Sequence, residues 1–193
     1  MKSRNLLYFI IILGTYADNV YAKEPKVDND LQAQSMLSVL YTQSSAEYEA
    51  NNIQTYASAK LALDKALLNK KWTAALEQKD NYQTKPPAVI LDIDETVLNN
   101  IPFQARAIIK GESYPKGWLE WMLEESATAV AGVADFLEYA SQKGVKVFYV
   151  TNRIAVAEDA TRNNIRKLGL PLDEDEDVLL MKNENGWTSD KVS

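Results

Sequence analysis

Two aspartates one residue apart close an apolar run. Ala88–Asn100 reads AVILDIDETVLNN, with Asp92 and Asp94 followed by Glu95 and Thr96. Side chains alternate faces along a strand, so Asp92 and Asp94 leave its end in the same general direction. Two like charges side by side each disfavour ionisation of the other. A divalent cation reverses that logic, holding one carboxylate ionised and leaving its neighbour able to carry a proton. Magnesium suits such an all-oxygen site. One aspartate could then attack phosphorus and form an aspartyl-phosphate. The other could protonate the leaving oxygen and later deprotonate water. A second apolar run, Val145–Val150, ends in Thr151-Asn152-Arg153. There the Thr151 hydroxyl and nearby backbone N–H groups could hold phosphoryl oxygens, and a lysine could offset charge in the transition state. The plainer alternative is that Asp92, Asp94 and Glu95 cap the next helix and face solvent. Against it stand the cost of ending a buried run on incidental charges, the strand–D-x-D-x-T order, and the second strand ending in Thr-Asn-Arg.

Composition narrows the chemistry. The 193 residues include neither cysteine nor histidine. Disulfides, thiolate catalysis and zinc–thiolate sites are thereby excluded. The commonest general base and the usual catalytic-zinc ligands are missing too, so acid–base work falls to Asp, Glu, Lys or Tyr. With 46% hydrophobic and 25% charged residues, the chain is globular and long enough for one domain with a sizeable core. A formal net charge of -6 is the reverse of a nucleic-acid-binding footprint, and no nucleic acid polymer is expected as a partner.

Several elements must position the two clusters. Lys2 and Arg4, the apolar Leu6–Gly14 and a small-x-small site ending at Ala22 form a secretory signal peptide over residues 1–22. No lipidation cysteine follows, so a secreted or periplasmic product without a stable membrane anchor is expected. Lys23–Asp30 reads as a flexible start. Leu31, Met36, Leu37, Leu40 and Tyr41 recur at helical spacing, Asn51-Asn52 reads as a break, and a second helix runs from about Ile53 to Leu76. The two form an expected antiparallel pair with core aromatics. Two prolines close the linker Lys79–Pro87. Ala88–Asp92 then suits a strand buried on both faces. A helix over Val130–Lys143 stops at Gly144, a strand covers Val145–Val150, a helix over Ala155–Leu168 stops at Gly169, and Val178–Met181 is a third strand. Acidic Asp173–Asp177 reads as a solvated loop. Strand, helix, strand, helix, strand implies right-handed parallel crossovers and a three-layer α/β sheet. Ligands bind beyond the carboxyl ends of such strands, where Asp92, Asp94, Thr151 and Asn152 would meet.

At these residues the sequence resembles the haloacid dehalogenase superfamily of phosphohydrolases. More narrowly, it resembles the bacterial class C acid phosphatases, secreted nonspecific phosphatases with 5'-nucleotidase-like activity. The resemblance rests on ILDIDETVLNN (Ile90–Asn100), FYVTNR (Phe148–Arg153) and the Trp-rich Gly117–Ala140, and covers essentially the whole chain after residue 22. It implies a haloacid dehalogenase-like, Rossmannoid parallel sheet with an N-terminal helical region (23–84) and a partial phosphatase core (85–193). A small helical cap insertion, about 101–128, lies within that core. It also implies magnesium-dependent hydrolysis of phosphomonoesters, often nucleoside 5'-monophosphates, at acidic pH. By position, Asp92 is the nucleophile and Asp94 the general acid/base, with Asp92 and the Asp94 carbonyl on the metal. Thr151 and Asn152 bind the phosphoryl group. The third-motif lysine is Lys191, with Lys182 as the competing choice. The family's fourth motif, a Gly-Asp-Asn-type stretch supplying further metal-binding aspartates, has no counterpart before Ser193. A fragment or truncated product is therefore expected, with the C-terminal part of the core missing, a sheet edge exposed and little activity in these 193 residues alone.

The insertion is expected to sit over the crevice. Phe103, Tyr114, Trp118 and Trp121 could stack on a nucleobase or aryl leaving group. Trp121 is favoured as core, and Phe103 and Trp118 remain the stacking candidates. Two other functions keep the same residues: a non-catalytic binding or storage homologue, and a phosphotransferase passing the phosphoryl group to an alcohol.

Overall fold

The computed structural model describes residues 31–79 and 81–189. The expected signal peptide, the stretch Lys23–Asp30 and Lys191 lie outside the described residues. Helix α1 (Leu31–Ser44) and helix α2 (Ala46–Leu67) are separated by Ser45 alone. Ser45 is extended (φ -85°, ψ 118°), and its Oγ accepts the Tyr48 N–H at 3.2 Å. A serine so placed satisfies an orphan donor of the new helix, and Glu47 and Glu49 in the first turn complement the helix dipole. The break therefore falls at Ser45 and not at Asn51-Asn52. Both asparagines lie inside α2, where Asn52 donates its amide to the Tyr48 carbonyl at 3.0 Å.

The N-terminal helices also find separate partners in place of the expected antiparallel pairing. Helix α1 lies along helix α3 (Ile101–Lys110), and α2 along helix α5 (Val133–Gln142). Tyr56 from α2 packs on Phe136 with ring centroids 5.6 Å apart and donates its hydroxyl to the Thr96 carbonyl at 2.7 Å. Trp72, beyond the end of α2, is exposed. Gly132 permits the α2–α5 contact: its φ is +86°, and a Cβ there would come within 3.0 Å of the Ile53 Cα.

Strands β1 (Ala88–Leu91), β4 (Lys146–Ile154) and β5 (Leu179–Lys182) form a parallel sheet in the order β1-β4-β5. The crossovers through α5 and helix α6 (Glu158–Lys167) step the same way across the sheet, so right-handed connections set both helices on one face. On that face Leu91, Val147, Tyr149, Leu179 and Met181 meet Phe136, Leu137 and Ala140 of α5 and Ile165 of α6. On the other face Ile90 is 65% exposed. Strand β1 is thus buried on one side only, a correction to the two-sided burial its apolar run suggests. The cause is that both crossover helices cover the same side.

Strand β4 runs four residues beyond Val150, with a register irregularity between Thr151 and Ile154. Alternation buries Thr151 and Arg153 and leaves Asn152 exposed. Strands β2 (Leu98–Asn99) and β3 (Thr128–Ala129) pair antiparallel and clamp the two ends of the insertion. Between them lie α3 and helix α4 (Trp118–Leu123). The acidic loop is exposed over Glu174–Asp177, as expected, yet it is ion-paired throughout its contacts with the fold. Asp173 and Glu176 meet Lys146, Glu174 meets Arg166, and Asp177 meets Arg162. Pairs this exposed are screened by solvent and add little to stability.

Candidate active site

Strand β1 delivers Asp92, exposed, to the carboxyl edge of the sheet. Ile93 behind it is fully buried, and its carbonyl accepts the N–H groups of Thr96 (3.2 Å), Val97 (2.8 Å) and Leu98 (2.9 Å). The chain wraps tightly around that one oxygen, with Glu95 in the left-handed region at φ 56°. This turn brings the Asp94 side chain against Arg153 of β4.

Asp94 Oδ1 accepts from Asn100 Nδ2 and from Arg153 Nε, both at 2.9 Å, and lies 2.8 Å from Arg153 Nη2 in the ion pair. Charge-assisted bonds of this kind are short and directional, so they fix the carboxylate's orientation. Arg153 is buried in the core. It also donates from Nη2 to Asn100 Oδ1 at 3.1 Å and from Nη1 to Thr161 Oγ1 at 3.2 Å. Asn100, fully buried, accepts at Oδ1 from Trp121 Nε1 at 2.8 Å. No buried side-chain polar atom among the described residues lacks a hydrogen-bond partner.

Glu95 follows the plainer alternative: its Oε1 accepts the N–H of Asn100, the residue at the start of α3, at 2.8 Å. Burial pushes the Glu95 carboxyl above its ordinary value, against the pull of that N–H. Asp94 has a different role, with its Oδ1 turned to Arg153 and the Asn100 side chain.

Beside Asp94 opens a cleft of about 410 Å³ whose lining includes Glu95, Asn152, Phe103, Tyr114 and Trp118. Asn152 and Asp94 thus share one cavity. Asp92 stands at the strand end and is not among the residues that line this cleft. Thr151 is buried and does not line the cleft, its Oγ1 accepting the Arg153 N–H at 3.1 Å. Lys182 is half-buried at the end of β5, in register with Ile154. Phe103 packs edge-on against Trp118 at 5.0 Å and Tyr114 against Trp118 at 6.0 Å. Trp121 is core, as expected.

Three residues of the site carry no role in the sequence-based expectations. Ser35 of α1 lines the cleft, which gives the N-terminal region a share in it. Asn100 and Arg153 build the Asp94 network. Both lie inside the motif stretches, the second Asn of VLNN and the Arg of VTNR, and that placement was their only sequence signal.

The candidate metal donors are all oxygens. With Oδ1 of Asp94 committed, the Asp92 carboxylate and the Asp94 backbone carbonyl suit a hard cation such as magnesium, which keeps several waters. Among the described residues no three acidic, His or Cys side chains cluster to hold a metal by themselves.

A family model described as HAD superfamily, subfamily IIIB (acid phosphatase), matches residues 15–193. The chain is also similar to solved structures of the class C acid phosphatase from Bacillus anthracis. One, with tungstate bound, is 34% identical with a TM-score of 0.69. Another is 35% identical with a TM-score of 0.69. Each match covers 80% of this chain and 60% of the relative, so the chain spans about 60% of the length of those structures.

Proposed function

The chain belongs to subfamily IIIB of the HAD superfamily, the acid phosphatases, and on that premise we propose that it hydrolyses phosphomonoesters through an aspartyl-phosphate on Asp92. The observation that carries this is Asp94, held at the cleft wall by Arg153 and Asn100 two residues beyond the strand-end Asp92. In the first step an Asp92 carboxylate oxygen attacks phosphorus as the bond to the leaving oxygen breaks, and Asp94 gives that oxygen its proton. In the second, Asp94 takes a proton from a water whose oxygen attacks phosphorus, releasing phosphate and restoring Asp92. With Oδ1 anchored, Oδ2 is the oxygen of Asp94 that exchanges the proton.

Asn152 and the Thr151 hydroxyl bind the phosphoryl oxygens. The Thr151 oxygen already accepts an N–H, so its own hydrogen is the part left to donate. Lys191 offsets transition-state charge, with Lys182 as the alternative. Magnesium on Asp92 and the Asp94 carbonyl supplies positive charge against the phosphoryl oxygens when bound. Tungstate, held by the Bacillus anthracis relative, is a tetrahedral oxyanion like phosphate and supports this substrate class. Assayed in a chain that includes the family's fourth motif, phosphate release is expected with added magnesium, to vanish with EDTA and to return on magnesium addition. Turnover indifferent to EDTA would remove the metal from the scheme, and no turnover in any condition would remove the phosphatase itself.

The half-buried Trp118, flanked by Phe103 and Tyr114 in the cleft, suits an aromatic leaving group such as a nucleoside. Base–aromatic stacking contributes about 1–3 kcal/mol. Trp118→Ala should therefore lower kcat/KM for nucleoside 5'-monophosphates by roughly 5- to 150-fold, with a smaller effect on a short alkyl phosphate. Equal losses on both would count against stacking. The leader over residues 1–22 directs the product to the periplasm or medium, and no helix among the described residues is long and apolar enough to cross a membrane. The exported protein should begin at Lys23, which intact mass measurement checks.

A further inference from the structure

We propose that Asn100 and Arg153 form a positioning unit that ties Asp94 to the insertion over the cleft, so that this carboxylate is aligned only while Trp118 and Trp121 are seated. The functional part of the proposal rests on the reading of Asp94 as the proton donor.

Two connections leave the single oxygen Asp94 Oδ1, and both end on a tryptophan of α4. One runs through Asn100, whose Nδ2 donates to Asp94 at 2.9 Å and whose Oδ1 accepts from Trp121 Nε1 at 2.8 Å. The other runs through Arg153, whose guanidinium carbon lies 5.6 Å from the centre of the Trp118 ring. The Asn100 amide has only one workable orientation. Its oxygen faces two donors, Trp121 Nε1 and Arg153 Nη2, while its nitrogen faces Asp94 and the Leu98 carbonyl. A flipped amide would set donor against donor.

Burial gives these bonds weight. Asn100 is 0%, Arg153 2% and Trp121 3% exposed. In so dry a setting a hydrogen bond is strengthened and water is a poor substitute partner. Trp118 has a double position, lining the cleft and covering Arg153. A substrate group resting on that ring therefore bears on the same unit that holds Asp94.

Trp121→Phe removes the indole N–H and keeps most of the ring. A misaligned proton donor should matter most where the leaving oxygen needs its proton. We expect kcat/KM to fall about tenfold for a short alkyl phosphate and about twofold or less for para-nitrophenyl phosphate, the scale of one lost hydrogen bond acting on proton transfer. An equal fall for both esters would overturn the proposal. A second measurement does not depend on turnover. The Trp121 indole N–H resonance, identified by its absence in Trp121→Phe, should shift in Asp94→Asn, and an unmoved resonance would also overturn it. If a chain that includes the family's fourth motif hydrolyses neither ester, the phosphatase reading fails by itself, and the indole resonance decides whether the unit couples Asp94 to the insertion.

Discussion

Asp92→Asn is expected to reduce phosphatase turnover by roughly 10³-fold or more, the scale of removing a nucleophile whose partners act as a unit with it. An amide has no negative oxygen with which to displace an alkoxide from phosphorus, and the covalent route closes. Asp92 is exposed just past the last residue of β1, and Asn keeps its size, so the substitution should leave the fold intact. Circular dichroism and a urea midpoint matching the parent, with phosphate release lost, are the expected pair of results. Surviving turnover would remove Asp92 from the nucleophile role and move attention to Asp94.

Arg153→Met is expected to destabilise the protein by about 3 kcal/mol, the lower end of what breaking a buried charge pair costs. Methionine keeps much of the length and the apolar stem but removes the ion pair to Asp94 and the hydrogen bonds to Asp94 at 2.9 Å, to Asn100 at 3.1 Å and to Thr161 at 3.2 Å. The lower end applies because the Asp94 side chain is 25% exposed and can recruit water once its partner is gone. Arg153→Lys should recover only part of the loss, since an ammonium cannot reproduce the planar fork that serves three residues at once. Urea midpoints at constant m-value provide the check. A change below about 1 kcal/mol, the worth of an ordinary surface pair, would show that Arg153 is not the anchor described here.

The parts of the fold that were legible in advance are those written in short-range pattern. The β1, β4 and β5 runs are apolar stretches bounded by turn residues, and Gly144 and Gly169 mark helix ends because each takes a positive φ. Their order implies parallel crossovers, and parallel pairing places the carboxyl ends of β1 and β4 at one edge. Of the four residues expected to meet there, Asp94 and Asn152 line the cleft, and Asp92 and Thr151 do not. The break between α1 and α2 was harder. Asn51-Asn52 and Ser45 are both plausible interruptions, and the choice turns on whether a serine Oγ finds the N–H three residues on. The one-sided burial of β1 could not be read from its own residues, because it depends on where both crossover helices lie.

The chemistry on offer is already written in the residue types. With no His and no Cys, acid–base work falls to Asp, Glu, Lys or Tyr, and a D-x-D at one strand end with a Thr-Asn-Arg on the next strand offers oxygen ligands and a carboxylate nucleophile. Tertiary structure decided how each carboxylate is used. Asp94 and Arg153 lie 59 positions apart, and Asn100 and Trp121 lie 21 apart. No local periodicity encodes such pairs. They form because an arginine driven into the core with its strand must find acceptors for every donor it brings, and Asp94, Asn100 and Thr161 are the acceptors that the turn after β1, the start of α3 and helix α6 carry to it.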